Sequence, residues 1–487
     1  MSSQIDRRTF LAAAGASLCA VRGASALASV RGDMLKPRRP RDIADSIWGV
    51  WTWYGPLKSA YASDEHSNYS FDPSSMELLE ELGIKHAYVG WDWPAVEKTR
   101  GRYDFSVYDQ IIHALRARRI APWVQLYGSP NVAYGMDPAV KSQVMQKDEY
   151  LRAWLTAIGK TVERSRGLVN AYEIWNEPNA APWFWTGAAD AAGYARMVKE
   201  VARAVRAADP RATIVAGSLA AVVLDYAEDF LAADSGPDWD GFSVHPYSDY
   251  PERETLAISQ LKALLARHRG RDIPIFQSEC GYPSSEHTGG WRGEGPWGED
   301  IQAKWLLRRM LSDLSLGAQV SIYFALHDYA AEIEVAGAGK PGSIGVNEKG
   351  LVTMDGRRKP AFRALQNLCS LIDNRFSAVA VQGTVKTRLQ SETPGQSEAD
   401  ITAFGLQSSG RLTHFLFWDA SPLQPASRKG ATVEFDLAEL PPRRCVCVDL
   451  LTGEISSLKS RTGNGRVIEM PLKDYPIAIV DKDALPT

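Results

Sequence analysis

Short apolar segments alternate with longer amphipathic segments between about residues 46 and 372. Eight apolar runs are predicted as strands, at residues 47–51, 85–91, 121–127, 169–175, 212–216, 241–244, 273–277 and 320–326. A stretch with helical periodicity follows each run, and these stretches lie at residues 74–82, 106–118, 149–164, 190–208, 224–232, 254–269, 302–316 and 359–371. Such alternation is typical of parallel strands joined by crossover helices. Eight units in roughly 330 residues predict a (β/α)8 TIM barrel.

An open, doubly wound sheet is the alternative fold for an alternating pattern of this kind. That fold would place a glycine-rich phosphate-binding turn directly after the first strand. The residues at this point are Trp51-Thr52-Trp53-Tyr54, and none of them is glycine. The barrel is therefore favoured.

The pattern changes after about residue 375. Short runs with strand character lie at residues 401–406, 413–418, 431–437, 444–450 and 475–480, and glycine- and serine-containing turns separate them. Short strand-like runs separated by turns, without a long amphipathic segment, predict a small antiparallel β-sandwich. The fold class is thus α/β, with a catalytic (β/α)8 barrel over residues 29–374 and a C-terminal sandwich over residues 375–487.

The first 28 residues resemble a twin-arginine export signal. Arg7-Arg8 opens the motif, an apolar run follows at residues 11–21, and small residues at 24–28 fit a cleavage site. The run is shorter than the roughly 20 residues that span a bilayer, so no stable membrane insertion of the mature protein is expected. The sequence therefore predicts export to the periplasm or beyond.

Composition and charge exclude several classes of partner. The 487 residues contain 55 Lys and Arg against 58 Asp and Glu, a net charge of −3 that offers no basic surplus for nucleic acid. The cysteines Cys280, Cys369, Cys445 and Cys447 show no metal-ligand spacing, and buried free thiols are the favoured interpretation. Composition leaves the oligomeric state open.

Candidate chemistry lies at the ends of the predicted strands, where TIM-barrel active sites are built. Glu177 follows the fourth strand and Glu279 ends the seventh. These strands lie on roughly opposite sides of the barrel, so the two carboxylates can face each other across its mouth. Such a pair suits cleavage of a glycosidic bond, in which one carboxyl donates a proton and the other acts as a base or nucleophile. Their mutual repulsion raises one pKa and so helps to keep one group protonated.

Three segments carry a resemblance to a known group of enzymes. Residues 174–179 (IWNEPN) resemble the strand-four signature of clan A glycoside hydrolases, and residues 276–281 (FQSECG) resemble their strand-seven nucleophile segment. Residues 91–105, which contain WDW and GRYDF, are similar to glycoside hydrolase family 39 and its exopolysaccharide-cleaving relatives. The resemblance extends over residues 46–372, and that family often carries a C-terminal sandwich.

The resemblance implies a retaining mechanism and roles for five residues. Glu177 would be the acid/base, Glu279 the nucleophile, and Asn176 a hydrogen-bonding partner of the sugar 2-hydroxyl. Tyr247 would orient the nucleophile, and His245 would line the sugar subsite unless it is a satisfied barrel histidine. Retention implies carboxyl groups about 5–5.5 Å apart. Tyr88 stands where the family commonly has arginine, and residues 324–328 lack a tryptophan that commonly floors the subsite, so the sugar stays open.

Aromatic residues near the strand ends are candidates for stacking on pyranose rings. The candidates are Trp53, Trp91, Trp93, Tyr127, Trp185, Trp291 and Trp297. Roughly half of such tryptophans are expected only to pack loops against the barrel. No second histidine is spaced with His245 as a metal pair, so neither a metal nor a cofactor is predicted.

The leading hypothesis is a retaining glycoside hydrolase with an oligosaccharide, polysaccharide or glycoside substrate. An exo-acting glycosidase is slightly favoured over an endo-acting hydrolase of an envelope or biofilm polysaccharide. A non-catalytic carbohydrate-binding protein and a structural envelope protein are the alternatives of other classes. The sequence names neither the sugar nor its linkage.

Overall fold

A computed structural model describes residues 33–52, 71–248, 250–286, 295–332, 344–381, 385–388, 400–423, 432–436, 439–458 and 467–486. The predicted signal peptide, Trp53 and Trp291 lie outside the described residues.

A closed parallel barrel forms the centre of the molecule. A short strand, β1 (Asp33–Met34), precedes it in the chain. The eight barrel strands pair in chain order, and the last pairs with the first. They are β2 (Trp48–Thr52), β3 (His86–Asp92), β4 (Ala121–Tyr127), β5 (Ala171–Ile174), β6 (Thr213–Ala220), β7 (Gly241–His245), β8 (Ile275–Cys280) and β9 (Ser321–Tyr323). The predicted TIM barrel is confirmed.

Helices surround the barrel, as the periodicity predicted. They are α1 (Pro73–Leu82), α2 (Trp93–Val96), α3 (Ser106–Ala117), α4 (Asp148–Arg164), α5 (Ala191–Ala208), α6 (Leu224–Ala232), α7 (Thr255–Arg269), α8 (Glu299–Ser315) and α9 (Pro360–Leu371). All eight predicted helices are present with ends within three residues, and only the four-residue α2 was not predicted. Among the described helices, none has both the length and the apolarity that crossing a membrane requires.

Two antiparallel sheets follow the barrel. A hairpin of β10 (Tyr329–Glu332) and β11 (Ile344–Asn347) first extends the last barrel loop. The later strands are β12 (Ser377–Val379), β13 (Val385–Arg388), β14 (Ile401–Ser408), β15 (Arg411–Asp419), β16 (Thr432–Asp436), β17 (Cys445–Asp449), β18 (Glu454–Ser457), β19 (Val467–Pro471) and β20 (Ile477–Asp481). One sheet has the order β1-β18-β17-β20-β15-β14-β12 and the other β13-β16-β19. The predicted C-terminal sandwich is confirmed. Four of its strands, β12, β13, β18 and β19, were not predicted.

Apolar side chains of the two sheets pack together as one core. Phe415 and Phe417 of β15 contact Phe435 of β16, with ring centroids 4.6–4.7 Å apart. Cys445 and Cys447 point into the same core, since alternate residues of a strand share a face. Together with Cys280 and Cys369 they are buried free thiols, as the sequence indicated.

Helix α8 lies between the barrel and the sandwich, and this position buries its charged residues. The guanidinium of Arg308 donates to both carboxylate oxygens of Glu252, at 2.6 and 3.0 Å. It also donates to the backbone carbonyls of Ala420 and Ser421, and the indole of Trp418 donates to Glu252 at 2.7 Å. A buried ion pair of the barrel is therefore hydrogen-bonded to the sandwich through Trp418, Ala420 and Ser421.

Candidate active site

A strained turn at the end of β5 positions Glu177. The backbone φ angles of Trp175 and Glu177 are +73° and +43°, in the left-handed region that non-glycine residues rarely adopt. The backbone N–H of Glu177 donates to the carbonyl of Ser218 at 2.8 Å, in a part of β6 where the strand register shifts. Strain of this kind persists only when the surroundings hold it, and it concentrates at functional sites.

Aromatic packing holds this turn in place. The Trp175 ring lies 4.4 Å from Tyr127, 6.1 Å from Trp154 and 5.9 Å from Trp185, measured between centroids. Its indole N–H donates to the carbonyl of Phe184 at 3.2 Å. The aromatic residues around β5 therefore support the strained conformation that aims Glu177 at the barrel mouth.

Glu279 lies near the end of β8, on the opposite side of the mouth. Its Oε1 accepts a hydrogen bond from the Tyr247 hydroxyl at 2.8 Å, so the contact expected of Tyr247 is present. Directly after β8, a Cβ atom at Gly281 would lie 1.7 Å from the carbonyl oxygen of Phe324. Only glycine fits at this approach of the seventh and eighth barrel strands.

The two carboxylates lie close together. One oxygen of Glu177, one oxygen of Glu279 and one ring nitrogen of His245 all lie within 4.8 Å of one another. Retaining glycosidases hold their carboxyl groups about 5–5.5 Å apart, whereas inverting enzymes need about 6.5–9.5 Å to admit a water. The arrangement matches the retaining spacing that the resemblance implied.

His245 binds Glu177 rather than facing a substrate. Its Nδ1 lies 3.0 Å from Oε1 of Glu177, and its Nε2 lies 3.3 Å from the hydroxyl of Ser218. The imidazole is fully buried and bonded on both sides, which corresponds to the satisfied barrel histidine that the sequence left as the alternative. Burial alone would lower its pKa. The charge of Glu279 and the contacts with Glu173 and Glu177 outweigh burial and raise the pKa of His245 to about 10.

The surroundings of Glu279 act on its pKa in opposite directions. Burial raises the pKa of Glu279, and the negative charge of Glu177 raises it further. The His245 cation, the Tyr247 hydroxyl and the charge of Lys349 lower it. Burial and the neighbouring carboxylate outweigh these three groups, so the pKa of Glu279 is raised overall.

Asn176 lies beside the acid pair and is 8% exposed. Its Oδ1 accepts a hydrogen bond from Nε2 of Gln125 at 2.9 Å. This contact fixes the amide plane and leaves the Asn176 NH2 group as a donor toward the site. The sequence placed Asn176 at the site, and Gln125 of β4 was not predicted.

Three of the predicted stacking residues belong to the core instead. Trp91, Trp93 and Trp185 are at most 4% exposed and so present no ring face to a sugar. Trp93 donates from its indole N–H to Glu97 at 2.7 Å, and Trp185 packs on Trp175. For these three residues the prediction is wrong, because packing against neighbouring elements covers their rings.

Other aromatic residues keep an accessible surface. Tyr127 and Trp297 are partly exposed and remain candidates. Trp183, two residues before Trp185 in the loop after β5, is 51% exposed. Both tryptophans are in this loop, and only the structure distinguishes the buried one from the exposed one.

Tyr88, where the sequence departs from the family pattern, lies in an aromatic cluster inside the barrel. Tyr88 of β3 and Phe324, which follows β9, both pack on Trp51, with ring centroids 5.7 and 5.3 Å away. All three side chains are buried. Aromatic packing thus surrounds Tyr88 at the position where the resemblance implied an arginine.

Two charged residues of the site were missed by sequence reasoning. Glu173 of β5 is fully buried beneath His245, and Lys349 is 6% exposed and follows β11. The Lys349 ammonium lies 5.2 Å from the centroid of the Tyr247 ring. No motif marks a lone lysine in a long loop, so only its place in the fold reveals it.

Glu177, His245 and Glu279 are also residue types that could bind a divalent metal such as Zn²⁺. Metal binding requires a neutral imidazole. His245 carries a proton up to about pH 10, so an ion would have to displace that proton. The arrangement is therefore better suited to moving protons than to holding a metal.

Sequence comparison agrees with this geometry. The family described as Cellulase (glycosyl hydrolase family 5), a clan A family, matches residues 131–313, which include both Glu177 and Glu279. Over this segment the chain is similar to clan A glycoside hydrolases and carries a glycoside hydrolase domain. No curated protein matches it.

Solved structures share the fold of this chain at low sequence identity. A family 39 glycoside hydrolase from Bacteroides cellulosilyticus WH2 is 18% identical, with a TM-score of 0.63 over 91% of this chain and 82% of that chain. A monomeric beta-xylosidase from Caulobacter crescentus CB15 is 16% identical, with a TM-score of 0.53 over 92% and 97%. A family 30 subfamily 8 xylanase from Clostridium acetobutylicum is 12% identical, with a TM-score of 0.53 over 93% and 97%. Each match includes the sandwich as well as the barrel.

Proposed function

We propose that this clan A hydrolase cleaves a β-linked, or stereochemically equivalent, glycosidic bond by double displacement. Glu177 acts as the acid/base and Glu279 as the nucleophile. The observation that carries the proposal is the approach of their carboxylate oxygens to within 4.8 Å at the ends of β5 and β8. Two carboxyl groups at this spacing, one protonated and one ionised, are what the retaining mechanism needs.

In the first step the proton of Glu177 passes to the glycosidic oxygen as the bond to the anomeric carbon breaks. An oxygen of Glu279 attacks that carbon and forms a covalent glycosyl-enzyme, and the leaving alcohol departs. Tyr247 donates to Oε1 of Glu279, so Oε2 is the oxygen that attacks. Asn176 donates to the sugar 2-hydroxyl, a contact that strengthens in the transition state.

In the second step Glu177, now ionised, takes a proton from water. The resulting hydroxide attacks the anomeric carbon and releases Glu279 as a carboxylate. The His245 cation, 3.0 Å from Oε1 of Glu177, stabilises the negative charge that Glu177 carries between the two steps. Two inversions at the same carbon leave its configuration unchanged.

We propose exo action at the end of a chain or on a single glycoside. The low exposure of the acid/base supports this proposal, since only 13% of the Glu177 side chain is accessible. Contact between two loops also supports it, because the backbone N–H of Ser284 donates to the carbonyl of Glu348 at 3.1 Å. We take this contact between the loops after β8 and β11 as support for a pocket rather than an open groove. The alternative is endo action on an envelope or biofilm polysaccharide.

A panel of neutral and uronic acid aryl glycosides tests the proposed function, with the product anomer identified by NMR. Wild type should cleave at least one glycoside and release the retained anomer first. Glu177→Gln and Glu279→Gln should each reduce kcat by at least about 1000-fold, because each removes a reacting group. Glu200→Gln, an exposed change on α5, is the matched control. Activity that survives in both variants contradicts the residue roles.

The panel also separates the alternatives. Cleavage of polysaccharide but of no aryl glycoside would favour endo action. Binding of sugar without any cleavage would favour a carbohydrate-binding protein. Release of the inverted anomer first would overturn the double-displacement mechanism.

We also propose export by the twin-arginine route to the periplasm or beyond. The support is the order of Arg7-Arg8, the apolar run at residues 11–21 and the small residues at 24–28. Replacement of both arginines by lysine should retain the protein in the cytoplasmic fraction of a host that has this pathway. Export of the lysine variant at the wild-type level would contradict the proposal.

A further inference from the structure

Lys349 brings a buried ammonium group to the catalytic centre. Its side chain is 6% exposed, and its Nζ lies 5.2 Å from the centroid of the Tyr247 ring, whose hydroxyl binds Glu279. Within the described part of the chain, no acceptor lies within hydrogen-bonding distance of this Nζ and no carboxylate oxygen lies within 4 Å. The Tyr247 ring is its cation–π contact, but a buried charge without hydrogen-bond acceptors is costly. A ligand that supplies acceptor oxygens would remove this cost.

The backbone around Lys349 is firmly held. The backbone N–H of Gly350 donates to Oδ1 of Asp328 at 2.9 Å, and a Cβ atom at Gly350 would lie 2.1 Å from the backbone nitrogen of Asp328. On the other side, the N–H of Lys349 donates to Oδ1 of Asn347 at 3.2 Å. The lysine is therefore fixed in place before any substrate arrives.

Lys359, a second buried lysine in the same region, has a structural role and serves as a comparison for Lys349. Lys359 donates from its Nζ to Oδ1 of Asp328 at 2.8 Å, to the hydroxyl of Ser284 at 2.9 Å and to the carbonyl of Glu348 at 3.1 Å. All three donors of Lys359 are satisfied by the protein. Lys349 lies in the same loop without such partners.

Lys349 brings positive charge to a centre that holds two carboxylates. Its ammonium interacts with the charges of Glu279 and Glu177. An anionic sugar that approaches these carboxylates is repelled unless a cation lies nearby. Among the described residues Lys349 forms no ion pair with the nucleophile Glu279, so its donors stay available to a ligand.

On the basis of the proposed glycosidase function, we propose that Lys349 selects a sugar that carries an anionic oxygen group at the catalytic subsite. The group is the carboxylate of a uronic acid or a sulfate ester, either of which offers the acceptor oxygens that the ammonium lacks. Burial lowers the pKa of Lys349, and a bound anion would favour its charged form. The sugar cleaved by the enzyme is therefore acidic.

Paired aryl glycosides that differ only in the anionic group test this inference. The pairs are β-glucuronide against β-glucoside, β-galacturonide against β-galactoside, and 6-sulfated against unsulfated glucoside. For wild type we expect kcat/KM about 100-fold higher for the anionic member of at least one pair, the size of effect expected for a charge-assisted hydrogen bond in a partly dry site. The uronide and sulfate arms identify the anion.

Substitution assigns the preference to Lys349. Lys349→Met should reduce the anionic-to-neutral ratio about 100-fold, and Lys349→Arg should keep part of it. Lys36→Met, an exposed change next to β1, is the control and should leave the ratio unchanged. Wild type that prefers the neutral member of every pair, or Lys349→Met that slows both members equally, would overturn the inference.

Thermal unfolding provides a second readout and separates recognition from a structural role. Lys349→Met removes an unpaired buried charge, so its Tm should equal or exceed that of wild type. A large fall in Tm would show that the ammonium is structural and would overturn the inference. Cleavage of neutral sugars alone, if it depends on Glu279, would refute the inference while the proposed function stands. If neither an aryl glycoside nor a polysaccharide is cleaved, the proposed function fails and the inference fails with it.

Discussion

Glu173 and His245 face each other inside the barrel, with Oε1 of Glu173 3.7 Å from Nε2 of His245 and both side chains fully buried. Glu173 also accepts hydrogen bonds from the Trp123 indole at 2.7 Å and from the Ser278 hydroxyl at 2.9 Å. These two donors hold the Glu173 carboxylate in place inside the barrel. His245 thus links this buried carboxylate to the acid/base Glu177 on its other side.

The first prediction concerns Glu173. Glu173→Gln keeps the shape but removes the charge, so the pKa of His245 should fall from about 10 toward its ordinary value of 6.5. The alkaline limb of the kcat/KM profile should then move at least about one pH unit lower, with kcat at pH 7 reduced about 10-fold. Rates measured from pH 5 to 10 check this, with Glu200→Gln as the control. An unmoved alkaline limb would separate His245 from catalysis.

The second prediction concerns stability against pH. The pKa of His245 in the folded protein, about 10, exceeds that of an unfolded histidine, so its charged form stabilises the fold. This contribution is complete below about pH 6.5 and is lost as the pH rises through 10. The Tm difference between wild type and His245→Gln should therefore shrink from pH 6 to pH 10. A difference that stays constant would mean that the histidine is neutral in the folded protein.

The third prediction concerns the Tyr247 hydroxyl. Tyr247→Phe removes a hydrogen bond to the nucleophile, worth about 1.5–3 kcal/mol for a charged acceptor, so kcat should fall about 10- to 150-fold. The pKa of Glu279 should rise, because one group that lowers it is gone, and the acidic limb should move to higher pH. Tyr172→Phe, whose hydroxyl binds Ser165 instead, is the matched control. Equal effects of the two changes would contradict a role in orienting Glu279.

The fourth prediction compares two tryptophans of one loop. Trp185→Ala should destabilise the protein by about 3–5 kcal/mol, because the ring is buried against Trp175. Trp183→Ala should leave Tm unchanged within about 2 °C, because the ring is half exposed. If Trp183 stacks on a sugar, its loss should raise KM for oligosaccharides about 3- to 10-fold. Melting curves measure the stability of both variants, and KM values for short and long substrates test whether Trp183 contacts the sugar. A large loss of stability in Trp183→Ala would contradict the prediction.

The fifth prediction concerns the contact between the barrel and the sandwich. Arg308→Met leaves Glu252 buried without its main partner and should cost about 3–5 kcal/mol of unfolding free energy. The double variant with Glu252→Gln should lose less than the sum of the single losses. Arg203→Met, which removes an exposed ion pair on α5, should cost at most about 0.5 kcal/mol. Denaturant unfolding of the wild type, the two single variants, the double variant and the control measures these losses, and additive losses would refute the coupling.

Much of the fold could be predicted because its signals are local. Apolar residues that repeat every two positions mark one face of a strand, and a repeat of 3.6 positions marks one face of a helix. Both repeats involve only residues that are close together in the chain. The order of strands and helices then indicated a barrel, and the rule that barrel chemistry sits at strand ends brought Glu177 and Glu279 together. Short strands such as β18 escaped prediction, since pairing with β1 and β17 stabilises them rather than their own composition.

The sequence by itself determined the alternation of elements, the carboxylate pair and the residue types at the strand ends. Only the tertiary structure decided which aromatic rings are buried, as with Trp91 and Trp93, and that His245 holds Glu177 instead of a sugar. It also placed Lys349 at the centre from a loop that carries no motif. Burial and charge pairing depend on residues far apart in the chain, and a pattern read along the chain does not contain those distances.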